Sequence, residues 1–151
     1  MIKNLEHKEI MYLLSHNYIG YLAYLYRKRP FVVPITYYYY KKDQVLICYS
    51  GEGHKINAMR KNNSVSLSIA DIDSVSNWKS VMVEGIFEEL IGSNAKSSLH
   101  TFSLGVKGVI RKKEQQNLHF ISEFSSKIYN DEVPIVFQIK IQEITGKKRR
   151  Y

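Results

Sequence analysis

Residues 64–69 read Ser-Val-Ser-Leu-Ser-Ile. Alternation of serine with an apolar residue has a period of two, the period of a β-strand with one buried and one wet face. The pattern commits the chain to a sheet with a sided surface, and such a strand needs partners. A second alternating run, Pro134-Ile135-Val136-Phe137-Gln138-Ile139-Lys140-Ile141-Gln142, lies near the other end and closes at Ile144-Thr145-Gly146. A strand this late in the sequence has to find the earlier sheet.

Partners are visible between the two runs. Tyr18 to Tyr26 is an aromatic-rich strand ended by a turn at Arg27-Lys28-Arg29-Pro30. Phe31 to Tyr40 is a second strand with Pro34 inside it, which marks an edge, a bulge or a backbone used for something other than pairing. Lys41-Lys42-Asp43 turns into a third strand, Gln44 to Tyr49. After a polar stretch from Asp71 to Asn77, Trp78 to Leu90 reads as a long strand kinked at Gly85.

Helices punctuate the sheet. Asn4 caps a predicted helix over Leu5 to Ser15, with Ile10, Leu13 and Leu14 on one face. A short helix follows the break at Ser50-Gly51-Glu52-Gly53, turns Ile56 and Met59 inward, and stops at Asn62-Asn63. Ser93 starts a helix carrying Leu99, Phe102, Val106, Val109 and Ile110, which Gly105 and Gly108 weaken. A last helix is predicted around Leu118 to Ile128. Many antiparallel strands with few helices predict an α+β fold, a mainly antiparallel barrel with peripheral helices, in one domain over 1–151.

The chain has 151 residues, one cysteine and a formal charge of +8. A single thiol, Cys48, allows no internal disulfide and suits a reducing compartment. No early stretch reads as a signal peptide or is long enough to span a bilayer as a helix, so the cytoplasm is expected. The excess of Lys and Arg attracts anions of any kind. Part of it is the run Lys147-Lys148-Arg149-Arg150, which reads as a solvated tail.

The most informative local feature is Tyr49-Ser50-Gly51-Glu52-Gly53-His54-Lys55, a strand end, a glycine-broken turn and a helix start. Unpaired N–H groups and the positive end of the helix dipole favour an anion there. Lys55 and His54 add donors and Ser50 a hydroxyl, while Glu52 opposes an anion unless it points away. An ordinary capped turn fits the same residues. The five histidines show no metal-ligand spacing. Cys48 reads as a buried, inert thiol, and Glu88-Glu89 would face opposite sides of a strand. Tyr37-Tyr38-Tyr39-Tyr40 and Trp78 fit either packing or stacking on a planar ligand.

Taken in order, Ile19-Gly20-Tyr21-Leu22-Ala23, Phe31-Val32-Val33-Pro34-Ile35-Thr36-Tyr37, Tyr49 to Ile56, Met59 to Val65, Trp78 to Gly85 and Ile141 to Lys147 resemble the pyridoxamine 5'-phosphate oxidase-like FMN-binding split-barrel superfamily. They are most similar to its nitroimidazole-resistance-like branch. The resemblance implies a split barrel and a homodimer with FMN at the subunit interface. It implies a flavin ring along Val33, Pro34, Ile35 and Thr36, held mainly by backbone groups. It places the phosphate at Ser50, Gly53, His54 and Lys55, with Trp78 and Ser80 near the flavin from the partner subunit. It also implies an oxidoreductase of unknown substrate.

The true oxidases carry basic residues on the ring strand and an Arg-Lys pair at the turn. Their substrate capture therefore does not carry over, and His54 is the one acid–base candidate. Two other readings fit the residues. One is haem binding on the same fold. The other is a basic, tyrosine-rich barrel that binds single-stranded nucleic acid without redox chemistry.

Overall fold

The computed structural model describes residues 1–114 and 134–150. Its strands are β1 (Ile2–Asn4), β2 (Ile19–Tyr26), β3 (Arg29–Thr36), β4 (Tyr38–Tyr40), β5 (Val45–Ser50), β6 (Ser64–Ser74), β7 (Asn77–Glu89) and β8 (Ile135–Arg150). Its helices are α1 (His7–Ser15), α2 (His54–Lys61) and α3 (Gly92–Glu114). All strands pair antiparallel in one sheet of order β3-β2-β6-β7-β8-β5-β4, with β1 added alongside β8.

β3 and β4 lie at opposite ends of that order, yet only Tyr37 separates them in the chain. A sheet whose two edges are joined by one residue has to curl until those edges approach each other. The result is a barrel left open along one seam. Tyr37 sits at the seam, fully buried. Its N–H donates to the Tyr18 carbonyl at 2.8 Å and its hydroxyl to the Leu14 carbonyl at 2.8 Å. The expected single strand from Phe31 to Tyr40 is therefore two strands.

The alternating residues of β6 behave as their pattern predicts. Val65, Leu67 and Ile69 join the barrel core with Leu14, Leu22, Val83 and Phe137, while the serines turn outward. A second, smaller core forms where α3 lays Phe102, Val106 and Ile110 on Val45 and Ile47 of β5. The four tyrosines divide between the two. Tyr37 and Tyr39 fill the barrel, and Tyr38 and Tyr40 pack under α3. Gly105 belongs in α3 because the Tyr38 ring lies against it: a Cβ there would stand 2.3 Å from a ring carbon.

Several other expectations change. Asn4 does not cap α1, because it lies in β1 opposite Lys147, and Glu6 takes the cap position. The polar residues Asp71 to Ser74 continue β6, since β7 offers them a pairing edge. Arg29 and Pro30 belong to β3, and the turn is Arg27-Lys28, both with positive φ. Gly85 lies at a bulge where Gln142 of β8 is unpaired, and a Cβ on Gly85 would stand 2.5 Å from the Lys140 carbonyl oxygen.

Lys147 to Arg150 is not a solvated tail. It ends β8, between β1 on one side and β7 on the other. Lys148 reaches Glu9 of α1 at 3.0 Å, and that contact holds the Glu9 carboxyl below its ordinary range. The predicted helix from Leu118 to Ile128 lies outside the described residues. Among the described residues, no helix is long and apolar enough to cross a membrane.

Candidate functional site

The turn from β5 into α2 keeps an open helix start. Gly53 occupies the cap position without a side-chain hydrogen bond, and the first helical bond there is Asn57 N–H to the Gly53 carbonyl at 3.1 Å. The preceding amides of the first turn therefore have no intrahelical acceptor. A Cβ on Gly51 or Gly53 would meet no atom within 4 Å, so no described residue crowds the turn at those two positions. Lys55 is half-buried beside it and forms no ion pair among the described residues. The hydroxyl of Ser50 is turned onto the Gly51 carbonyl at 3.0 Å and helps close the bend.

His54 opens α2 and leans on the β2–β3 hairpin. Its Nδ1 lies 2.9 Å from the Tyr24 hydroxyl. The rings of Tyr26 and Phe31 meet its edge, each with centroids 4.8 Å away. One ring nitrogen is thus committed to fixing the imidazole, which leaves the other for solvent or a ligand. Tyr24, Tyr26 and Phe31 read from the sequence as strand residues and not as site residues. They follow the inward period of β2 and β3, but nothing local says that this hairpin ends against α2.

Glu52 does not face the helix start. Arg60 donates to both Glu52 carboxylate oxygens at 3.0 Å, and to Glu89 of β7 at 2.6 and 3.0 Å. The guanidinium holds the Glu89 carboxyl below its ordinary range, and the two carboxylates push the Arg60 guanidinium further up.

β3 is an edge strand, so half of its backbone polar groups face away from β2. Pro34 sits on that edge, where a missing N–H costs no central ladder bond. Val33 and Ile35 turn inward: Ile35 is buried, and half-buried Val33 packs on the barrel core. Their side chains serve packing, so a ligand along β3 meets them through the backbone.

Pro34 stands opposite Tyr21, Tyr21 opposite Ser68, and Ser68 opposite Met82. Residues paired this way share one face, and on β7 the same face carries Ser80 and Trp78. Thr36, two residues from Pro34, shares it too. This face is open and mixes the outward serines of β6 with apolar side chains, Val32 62%, Tyr21 56%, Ile19 48% and Met82 41% exposed. The structure therefore brings Pro34, Thr36, Trp78 and Ser80 to one surface. It does not bring Trp78 and Ser80 to β3, since β2 and β6 intervene, roughly 14 Å of sheet at the usual strand spacing.

Cys48 is fully buried, and burial pushes its thiol far up, so it is no nucleophile. Glu88 turns to Gln138 and Glu89 to Arg60, on opposite sides of β7 as alternation requires. Among the described residues, no three His, Cys, Asp or Glu side chains group as a metal site.

A family model described as pyridoxamine 5'-phosphate oxidase matches residues 6–148. An uncharacterised protein of Rhizobium meliloti (strain 1021) is 32% identical over 121 residues, which cover 79% of this chain and 76% of that protein. The crystal structure of a FAD-binding protein from Mesorhizobium loti superposes with a TM-score of 0.73 at 27% identity, over 98% of each chain. A structure from Bacteroides thetaiotaomicron VPI-5482, provisionally assigned as a 5-nitroimidazole antibiotic resistance protein, superposes with a TM-score of 0.63 at 17% identity. It covers 98% of this chain and 89% of that one.

Proposed function

Because the chain belongs to the pyridoxamine 5'-phosphate oxidase family, we propose that it binds FMN at the interface of a homodimer and uses it as an oxidoreductase on a small molecule. The observation that carries this reading is the start of α2, which has no side-chain cap and open space at Gly51 and Gly53 among the described residues, with half-buried Lys55 beside it. Amides and an ammonium suit a phosphate, and the backbone of the edge strand β3 suits the heteroatom rim of a flavin ring.

A second copy accounts for Trp78 and Ser80. They share the open face with Pro34 but cannot reach β3 of their own chain. A two-fold axis through that face sets β7 of one copy against β3 of the other. The apolar side chains of this face then become interface instead of exposed surface. Bound FMN supplies the redox chemistry. The chain's own residues bind the phosphate, orient the ring and exclude water, and His54 is the group placed to hold a proton near the phosphate end.

The test is an absorption spectrum of the purified protein, followed by titration with FMN and FAD. Flavin bands, or saturable uptake of FMN, support the reading. Preference for FAD, the ligand named for the Mesorhizobium loti structure, would correct the cofactor and keep the class. A colourless protein indifferent to both flavins would overturn it, and haem bands would move the function to haem on the same fold.

A further inference from the structure

The carboxylate of Glu52 lies one residue before the cap of α2, at the place most able to block an anion site. A side-chain carboxylate near a helix start is attracted to the free amides and to the positive end of the dipole. Being tethered, it competes at a high effective concentration against any phosphate arriving from solution. It would also repel that phosphate directly. Gly53 has no side chain with which to occupy those amides, and Glu52 is the carboxylate next to it in sequence.

Arg60 removes this competitor. It lies near the C-terminal end of α2, and helical side chains lean back toward the N-terminus. That lean lets the guanidinium meet both oxygens of Glu52 at 3.0 Å. Its remaining donors grip Glu89 at 2.6 and 3.0 Å, which anchors the pair to the end of β7. A planar fork with two carboxylates fixes direction as well as charge, and an ammonium cannot reproduce that.

We propose that Arg60 is a positioning residue for the anion site: by clamping Glu52 to Glu89 it keeps the start of α2 open to the phosphate of a flavin nucleotide. This role rests on the flavin reading above, and it deepens that reading by naming what holds the Glu52 carboxylate aside and makes the site selective for the phosphorylated ligand.

The experiment compares FMN with riboflavin, which lacks the phosphate, by equilibrium titration of the full chain. The variants are Arg60→Gln, Arg60→Lys, Glu52→Gln and the double variant Arg60→Gln/Glu52→Gln. Arg60→Gln is expected to weaken FMN binding about tenfold and leave riboflavin binding unchanged. Glu52→Gln alone should bind FMN at least as tightly as wild type. The double variant should regain most of the affinity that Arg60→Gln loses, and Arg60→Lys should fall between. Unchanged riboflavin binding by Arg60→Gln shows that its chain still folds, and rescue by the second substitution assigns the FMN loss to Glu52.

A general loss of structure would lower both affinities together and would not be rescued, and that result overturns the role. So does unchanged FMN binding in Arg60→Gln. A wild-type protein that binds neither FMN nor riboflavin overturns the flavin reading itself, and with it this role.

Discussion

Lys55 is the simplest side chain on which the flavin reading can fail. It stands half-buried at the first turn of α2 without an ion-pair partner among the described residues. A hydrogen bond to a charged group contributes about 1.5–3 kcal/mol. Lys55→Ala is therefore expected to raise the Kd for FMN by roughly tenfold or more in isothermal titration, at unchanged thermal stability. Equal affinity in wild type and variant would remove Lys55 from the site. Two glycines of α3 make a matched pair for packing. Gly105→Ala drives a Cβ into the Tyr38 ring and should cost about 1–3 kcal/mol in urea denaturation. Gly108→Ala meets no atom within 4 Å and should stabilise by about 0.5–1 kcal/mol, because alanine is the better helix former. If both substitutions moved stability the same way, the contact of Gly105 with Tyr38 would not be what sets that position.

β8 shows how far the role of an element can depart from its local composition. Its last four residues, Lys147 to Arg150, are all basic, and a run of like charge ordinarily means a solvated segment. Here β7 runs past Trp78 to Asn77 and β1 lies along the other side, so Lys147 to Arg149 are paired on both edges and Arg150 on one. Glu9 of α1 meets Lys148 at 3.0 Å and Lys79 at 3.6 Å. Truncation after Gly146 is expected to lower the urea midpoint clearly; a chain as stable as wild type would return the segment to the status of a tail. The contact with Glu9 adds a pH signature. The folded-state pKa of Glu9 is lowered, chiefly by its hydrogen bond to Lys148, so its contribution is present at neutral pH and is lost as pH falls through that lowered value. The stability difference between wild type and Lys148→Met should accordingly shrink in acid. A difference that held constant into acid would show that the ion pair contributes nothing.

Among the described residues a sheet face with large exposed apolar side chains lies open, and the flavin reading needs that face covered by a second copy. Val32 and Met82 are exposed on it, three strands apart, and neither packs into either core. Val32→Asp is expected to give a folded monomer in sedimentation analysis and to lose FMN affinity with the dimer, since Trp78 and Ser80 then no longer reach β3. A dimer that survives the charge would place the interface elsewhere. FMN bound as tightly by a monomer would show that one chain completes the site alone.

The features readable from residues alone were those set by near neighbours. The period of Ser64 to Ile69 fixed which side of β6 is buried, because alternation is a property of the backbone itself. Ser50-Gly51-Glu52-Gly53 broke the strand for similarly local reasons, and Pro34 narrowed its position to an edge, a bulge or a backbone used otherwise, among which the sheet order chose the edge. Tertiary structure decided the rest, since each remaining feature depends on a partner distant in sequence. Tyr37 became a seam once the sheet curled. Lys147 to Arg150 became a strand because β1 and β7 offered edges. Glu52 turned from the helix start only because Arg60 and Glu89 arrived together to hold it. A charged side chain carries its sign in the sequence, but its direction is set by whichever opposite charge the fold brings within reach.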